Sequence, residues 1–191
     1  MFKQKFLEEL KISYQKNESE RRQIISASNN ILFQAKKTIF ALQKNDVKKA
    51  EANLKEMEAS FLNLEKKFGA PRLNKEGAFK AAAEEYMEGK TFFWFLKNKN
   101  IEEVKDLNFE YEAYLGGTCD MIGELVRYAT NQAAQGKFGV VAKVKEKAEV
   151  IMESLADFDM TSYLRTKYDQ SRGHLRKLEQ MAYEIKLRNR K

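Results

Sequence analysis

Apolar residues recur every three or four positions through most of the chain, which is the spacing that places them on one face of a helix. Residues 20–44 show this repeat and predict a long helix, and an amphipathic segment before residue 20 predicts a first, shorter helix. The apolar positions of the long helix are Ile25, Leu32, Ala35, Ile39 and Leu42.

A helical hairpin is predicted from the residues that follow. Asn45 and Asp46 are typical of a helix start, because their short side chains accept hydrogen bonds from free backbone N–H groups. Gly69 and Pro71 are expected to end this second helix. Because the connection to the long helix is short, the two helices should be antiparallel neighbours. The apolar stripe of the second helix is Leu54, Met57, Phe61, Leu64 and Phe68.

Further helices are expected at residues 76–97, 110–135 and 140–155, and a last one should begin at Thr161 or Ser162 and continue almost to the end. Gly116, Gly117 and Gly123 lower the stability of a helix, so they predict the close approach of another backbone. The chain has only one proline. Residues 1–191 are therefore expected to form one all-α domain, an antiparallel bundle of about six to seven helices.

Composition predicts the cellular compartment of the protein. The one cysteine, Cys119, allows no intramolecular disulfide, so a reducing cytoplasm is expected. The N-terminus mixes charged and apolar residues and does not resemble a signal peptide. The longest apolar run, residues 92–96, is much shorter than the roughly 20 residues that span a bilayer, and no membrane association is expected.

Charge is distributed unevenly along the chain, whose formal net charge is +7. Residues 1–49 and residues 161–191 each carry an excess of six basic residues, whereas residues 50–160 carry an excess of five acidic ones. A nuclease that binds metal through carboxylates and its substrate through Lys and Arg would show this pattern. Solvated helix faces with no special function would show it as well.

Two acidic pairs have helical spacing. Glu85 and Glu88 are three residues apart, and Asp120 and Glu124 are four apart, so each pair lies on one face of its helix. Four converging carboxylates would require a cation, and oxygen ligands favour Mg²⁺ or Mn²⁺. A bound Mg²⁺ would polarise a phosphodiester and activate a water. The alternative is that both pairs simply face solvent.

Other chemistries receive less support from the residues. No Gly-rich phosphate loop and no Cys or His cluster is present, and His174 lies in no Glu-x-x-His motif of the di-iron type. Cys119 is expected to be a small packed residue rather than a nucleophile. His174 would either contact phosphate or lie on the surface. The aromatic residues 92–95 are expected in the core or at a subunit interface rather than stacked on bases.

Four segments together resemble one known family, that of translin and its paralogue, translin-associated factor X (TRAX). The middle segments carry Glu-Tyr-x-Glu and, further on, Asp-x-x-Gly-Glu-Leu-x-Arg. The segments span most of the chain and read RRQIISASNNILFQAKKTIFAL, EEYMEGKTFFWFL, YLGGTCDMIGELVRYATNQAAQGKF and YLRTKYDQSRGHLRKLEQMAYEIKLR.

The resemblance implies a translin-like all-α fold that assembles into a closed oligomer, commonly an octamer, around a cavity that binds RNA or single-stranded DNA. In TRAX-like members, acidic residues coordinate Mg²⁺ and make the assembly an endoribonuclease. Glu85, Glu88 and Asp120 match those catalytic positions, and Glu124 matches the adjoining acidic position. Translin proper lacks the full acidic set and mainly binds nucleic acid, so this chain is more similar to the catalytic branch.

The chain also departs from the TRAX pattern. The segment around residues 102–112 is shorter than in TRAX, and the chain ends at LRNRK without a longer C-terminal tail. These departures leave open whether a translin paralogue is needed in a hetero-oligomer. We expect instead a homo-oligomer in which every subunit carries a site.

Basic residues of the second and last predicted helices are the expected contacts to nucleic acid. Phosphate contacts of this kind give affinity that falls with salt and carry little sequence information. The alternative for each is a solvated helix face. Arg127 is expected to pair with Glu124 rather than to bind phosphate. The expected contacts are Arg21, Arg22, Lys36, Lys37, Arg172, Arg176 and Lys177.

Overall fold

The computed structural model describes residues 2–188, and over this range it contains seven α-helices and no β-strand. The predicted all-α class is confirmed. No helix in this range is long and apolar enough to cross a membrane. The helices are α1 (Gln4–Gln43), α2 (Val47–Phe68), α3 (Ala70–Leu73), α4 (Gly77–Leu96), α5 (Tyr111–Ala134), α6 (Phe138–Ala156) and α7 (Ser162–Arg188).

α1 is one continuous helix of 40 residues, and the predicted break near residue 20 is wrong. No glycine or proline interrupts the segment, and its first fully buried residue is Ile24. The polar stretch before Ile24 indicates a helix surrounded by solvent, not a break. α1 is roughly 60 Å long and α4 about 30 Å at 1.5 Å per residue. The first turns of α1 therefore project from the bundle.

The predicted hairpin of α1 and α2 is confirmed. Asp46 accepts a hydrogen bond of 3.1 Å from the backbone N–H of Lys49 and so caps the start of α2. Near the other end of α2, Lys67 donates to the side chain of Gln23 on α1 at 2.7 Å, which requires the helices to be antiparallel. α2 ends at Gly69, as predicted, but Pro71 lies in the first turn of the short α3.

α4 and α5 run in the same direction, unlike pairs joined by short loops. Lys80 contacts Glu110 at 2.8 Å near the start of both helices, and the rings of Phe92 and Tyr128 are 5.9 Å apart further along. The connecting residues 97–110 return along the bundle, and Asn108 is bound there by Glu65 of α2 at 2.9 Å. This parallel arrangement brings the middle of α4 beside the middle of α5.

Gly117 allows α4 and α5 to approach closely. A Cβ atom at Gly117 would lie 2.7 Å from the carbonyl oxygen of Glu84 and from the amide nitrogen of Glu88, so the predicted contact with another backbone is confirmed here. The same prediction is wrong for Gly116 and Gly123, whose neighbours are the side chains of Glu84 and His174. α7 packs along α5, and Ser171 donates a hydrogen bond of 2.8 Å to the carbonyl of Cys119.

Candidate carboxylate site

The structure brings the two predicted acidic pairs together, from the middle of α4 and of α5. Burial raises the pKa of both Glu85 and Glu88, and the negative charges of Asp120 and Glu124 raise each further. Glu88, Asp120 and Glu124 line a cavity of about 370 Å³, which α7 closes on one side with Gln170 and His174, among others. Glu85 lies outside the lining of this cavity but within reach of the other charges.

Glu88 has the most perturbed carboxyl of the four. Burial, and then the charges of Glu85, Asp120 and Glu124, raise its pKa to about 9. The protonated form is therefore dominant at neutral pH when no cation is nearby. Burial also raises the pKa of Glu85, while the neighbouring Lys36 opposes that effect. The four acidic groups thus create a region where positive charge is strongly favoured.

A positive charge from the chain itself already lies at one edge of this region. The Lys167 ammonium on α7 makes a direct ion pair with Asp120 and a second, of 2.8 Å, with Glu84. Burial disfavours the charged lysine, but hydrogen bonds to Asp120, Glu84 and Tyr163 outweigh it and raise the pKa of Lys167. Burial raises the pKa of Asp120, and Lys167 partly offsets this.

Glu124 is held by groups at the opposite edge. Gln43, in the last turn of α1, donates hydrogen bonds to the Glu124 carboxylate and backbone carbonyl. Arg127 lies 3.6 Å from the same carboxylate and also stacks over the ring of Phe40, with its guanidinium carbon 5.1 Å from the ring centroid. The predicted structural pair between Arg127 and Glu124 is confirmed.

The donor set suits a hard divalent cation, since it consists of carboxylates alone. Between residues 2 and 188, however, no three His, Cys, Asp or Glu side chains are grouped so as to hold a metal ion. Asp120 is turned toward Lys167, and Glu124 is held by Gln43 and Arg127. In chemical type the residues fit Mg²⁺ or Mn²⁺, and rotation of these side chains would be needed to bind one.

The predicted basic residues lie in different surroundings. Lys36 is near Glu85 and so borders the acidic region. Lys177 lies close enough to His174 to lower its pKa, after the larger effect of burial.

The other five are further from the carboxylates or already paired. Arg21 pairs with Glu76 at 3.5 Å, and Lys37 covers the ring of Phe33. Arg22 is exposed. Arg172 and Arg176 border a separate depression between α6 and α7.

Sequence reasoning missed Glu84, Lys167 and Gln43 as members of the site. A weak indication exists on α7, where Tyr163, Lys167, Gln170 and His174 recur at helical spacing and form one polar face. His174 borders the cavity and is not a plain surface residue.

The expectations that Cys119 is a small packed residue and that the aromatic residues lie in the core are confirmed, except that Phe95 is only partly buried. Cys119 is fully buried, and burial raises the pKa of its thiol to about 11. Residues 92–94 are buried in the core.

Two parallel helices of this all-helical domain thus bring acidic pairs together beside the basic side chains of Lys36 and Lys167. The chain belongs to the translin family, since the family model described as "Translin family" matches residues 19–189. The match is to the family as a whole, and assignment to the TRAX-like branch stays a prediction. No curated protein sequence matches the chain.

Solved structures named C3PO share the fold over nearly the whole chain. The structure of AfC3PO has a TM-score of 0.85 at 23% identity and covers 97% of this chain and 99% of its own. For apo-NeC3PO the TM-score is 0.81 at 24% identity, with coverages of 96% and 97%. The complex of AfC3PO with duplex RNA has a TM-score of 0.82 at 26% identity, with coverages of 95% and 96%.

Proposed function

We propose that this protein binds RNA and cleaves it as a Mg²⁺-dependent endoribonuclease, using Glu85, Glu88, Asp120 and Glu124. The observation that carries the proposal is the convergence of these four partly buried carboxylates from α4 and α5. Partly buried acidic groups that repel one another gain stability from a divalent cation. Mn²⁺ satisfies the same ligands and would substitute for Mg²⁺.

Each residue has a separate part in this proposal. When bound, Mg²⁺ would polarise the scissile phosphodiester and lower the pKa of a coordinated water. Glu88 would release its proton as the metal binds, because the charge of the cation would favour the carboxylate and so oppose the burial and the neighbouring negative charges that raise its pKa. Gln43 fixes the orientation of Glu124. Lys36, beside Glu85, is placed to contact a phosphate on the approach to the cavity.

RNA is the proposed ligand for two reasons. Both ends of the chain are basic, and AfC3PO, at 26% identity, is known in complex with duplex RNA. A second candidate is an RNA- or single-stranded-DNA-binding oligomer without catalysis. This candidate is favoured by the ion pair between Lys167 and Asp120, because a carboxylate that is bound to lysine is not free to bind a metal ion.

We propose that the working form is a homo-oligomer, as the family resemblance implies, with an octamer as the expected size. The projecting part of α1 supports this, because it exposes large apolar side chains that a monomer would leave in water. A hetero-oligomer with a translin paralogue is the alternative. The exposed side chains on this part of α1 include Phe6, Leu7, Leu10, Ile12 and Tyr14.

The deciding experiment is cleavage of an end-labelled single-stranded RNA by the purified protein in Mg²⁺ and in EDTA. Asp120→Asn removes the charge of one proposed ligand and little volume, so it should abolish cleavage while RNA binding and assembly persist. The exposed Asp169→Asn on α7 is the matched control and should cut normally. RNA binding without any cutting in Mg²⁺ or Mn²⁺ would favour the non-catalytic candidate. Unchanged cleavage by Asp120→Asn would refute the proposed site.

A further inference from the structure

Lys167 stands between two carboxylates that belong to different groups. Asp120 is one of the four proposed metal ligands, whereas Glu84 is outside that set and contacts α7. Glu84 is also held by a hydrogen bond of 2.8 Å from the hydroxyl of Tyr163, one turn before Lys167. The Lys167 side chain is only 14% exposed, so its ammonium depends on these partners in place of water.

We propose that Lys167 is an internal counter-cation that competes with divalent metal for Asp120 and that keeps Glu84 as its partner when metal displaces it. The inference rests on the proposed metal site and adds a residue that controls its occupancy. An ammonium and a metal ion on the same carboxylate repel each other, so Asp120 can bind metal only when Lys167 withdraws. Because Glu84 already binds Lys167, the withdrawn ammonium retains one ion pair.

This arrangement has two consequences. In the metal-free protein Lys167 neutralises part of the acidic region and so lowers the repulsion among its carboxylates. The site fills only at metal concentrations high enough to displace the lysine. Lys167 is therefore a positioning residue that sets the metal affinity through Asp120.

The test is Mn²⁺ binding to the full-length, metal-free protein without RNA, measured by isothermal titration calorimetry and by the loss of the free Mn²⁺ EPR signal. Lys167→Met removes the competitor and should bind Mn²⁺ at least tenfold more tightly than the unsubstituted protein. Glu84→Gln removes the alternative partner, confines Lys167 to Asp120, and should weaken binding several-fold. In the double variant the effect of Glu84→Gln should vanish, because no lysine remains to be retained.

Two control variants test whether the effect of Lys167→Met on Mn²⁺ affinity comes from its ion pair with Asp120. One removes a nearby positive charge, and the other breaks a buried ion pair elsewhere. Lys36→Met removes a positive charge near Glu85 without breaking an ion pair, so it should tighten binding by much less than Lys167→Met. Lys90→Met breaks a different ion pair that is similarly buried. The Lys90 ammonium lies 2.6 Å from the carboxylate of Glu58, which is not a proposed metal ligand, and the Lys90 side chain is 16% exposed. This variant should leave Mn²⁺ affinity unchanged.

Contrary results would identify which idea fails. Equal Mn²⁺ affinity of the Lys167→Met and unsubstituted proteins would overturn the competition while leaving the metal site in place. An equal effect of Glu84→Gln in both backgrounds would show that Glu84 acts only through its charge, and would also overturn the inference. Absence of Mn²⁺ binding in every variant would refute the proposed site itself. Lys167→Gln, which keeps a polar group, replaces Lys167→Met if that variant does not fold.

Discussion

Gln43 donates a hydrogen bond of 2.7 Å to Oε2 of Glu124, and a second of 2.9 Å to the backbone carbonyl of the same residue. The two residues are 81 positions apart in the chain. Gln43 is itself buried and accepts a hydrogen bond from Asn131 at 3.3 Å. The end of α1 therefore fixes the direction of one proposed ligand on α5.

Gln43→Leu should weaken Mn²⁺ binding by roughly tenfold, which is typical when a group that orients a metal ligand is removed. Leucine fills a similar volume, so the helix content should not change. Glu124 loses the hydrogen bonds from Gln43, so the weaker Mn²⁺ binding should be seen by calorimetry. Gln132→Leu is the control. Gln132 is buried in α5 two turns beyond Glu124, and its side-chain nitrogen has no hydrogen-bond partner. An equal loss in both variants would contradict a specific role for Gln43.

Gly117→Ala should destabilise the protein by about 1–3 kcal/mol, the usual cost of adding a methyl group to a packed interface. The new Cβ would meet the backbone of Glu84 and Glu88, which cannot move without separating α4 from α5. Gly173→Ala on α7 has open space around its Cβ and should stabilise by about 1 kcal/mol through helix propensity. Urea unfolding of both variants measures the difference, and similar values would show that the contact at Gly117 is not tight.

Local patterns predicted the helices well wherever one face of the helix is buried. α2 combines an apolar stripe with a start at Asp46 and an end at Gly69, and all three were recognisable. The first turns of α1 have the apolar repeat but bury nothing, and the polar residues between them and Ile24 interrupt the repeat without ending the helix, so the pattern predicts two helices where there is one. The parallel direction of α4 and α5 was also beyond prediction, because residues 97–110 have no regular pattern and their path depends on contacts such as Asn108 with Glu65.

In the candidate site, too, the sequence predicts the residues that share a helix but not the contacts between helices. The spacing of Glu85 with Glu88, and of Asp120 with Glu124, was visible in the sequence because each pair lies on one helix. Lys167 approaches Asp120 from 47 residues away. Contacts of this kind arise from the packing of α7 on α5, which no local spacing encodes.

Lys36→Gln should weaken RNA binding more than Arg176→Gln. Lys36 lies beside Glu85 at the edge of the acidic region, whereas Arg176 borders the depression between α6 and α7. Each phosphate contact that is lost should also reduce the slope of log affinity against log salt by roughly 0.7 for single strands. Filter binding across a salt series checks both effects. A larger loss with Arg176→Gln would place the RNA path on the α6 and α7 side.

Phe6→Ser combined with Leu10→Ser should shift the protein to smaller assemblies in light scattering after size-exclusion chromatography. Both side chains are exposed on the projecting part of α1 and lie on one face, four residues apart. Ile12→Ser is the control, because Ile12 is also exposed but points to the opposite side of the helix. Thermal unfolding of the bundle should change little, and an unchanged assembly size would exclude this face from the subunit contacts.

Replacing Glu88 by Gln should make the metal-free protein less sensitive to alkaline pH. The pKa of Glu88 is about 9 in the folded protein against an ordinary value of 4.5. Between these values the folded state binds more protons than the unfolded state, so the free energy of unfolding falls as pH rises. The stability linked to protonated Glu88 is fully present below about pH 4.5 and is lost as pH rises through about 9.

Glu88→Gln carries no proton to lose over this range, so the free energy of unfolding of the variant should rise relative to that of the unsubstituted protein between pH 5 and pH 9. Urea unfolding in EDTA at several pH values measures the difference. Glu56→Gln, at an exposed position of α2, is the control and should run parallel to the unsubstituted protein. If the Glu88→Gln curve is also parallel, the pKa of Glu88 in the folded protein is close to its ordinary value, and neither burial nor the neighbouring charges raise it.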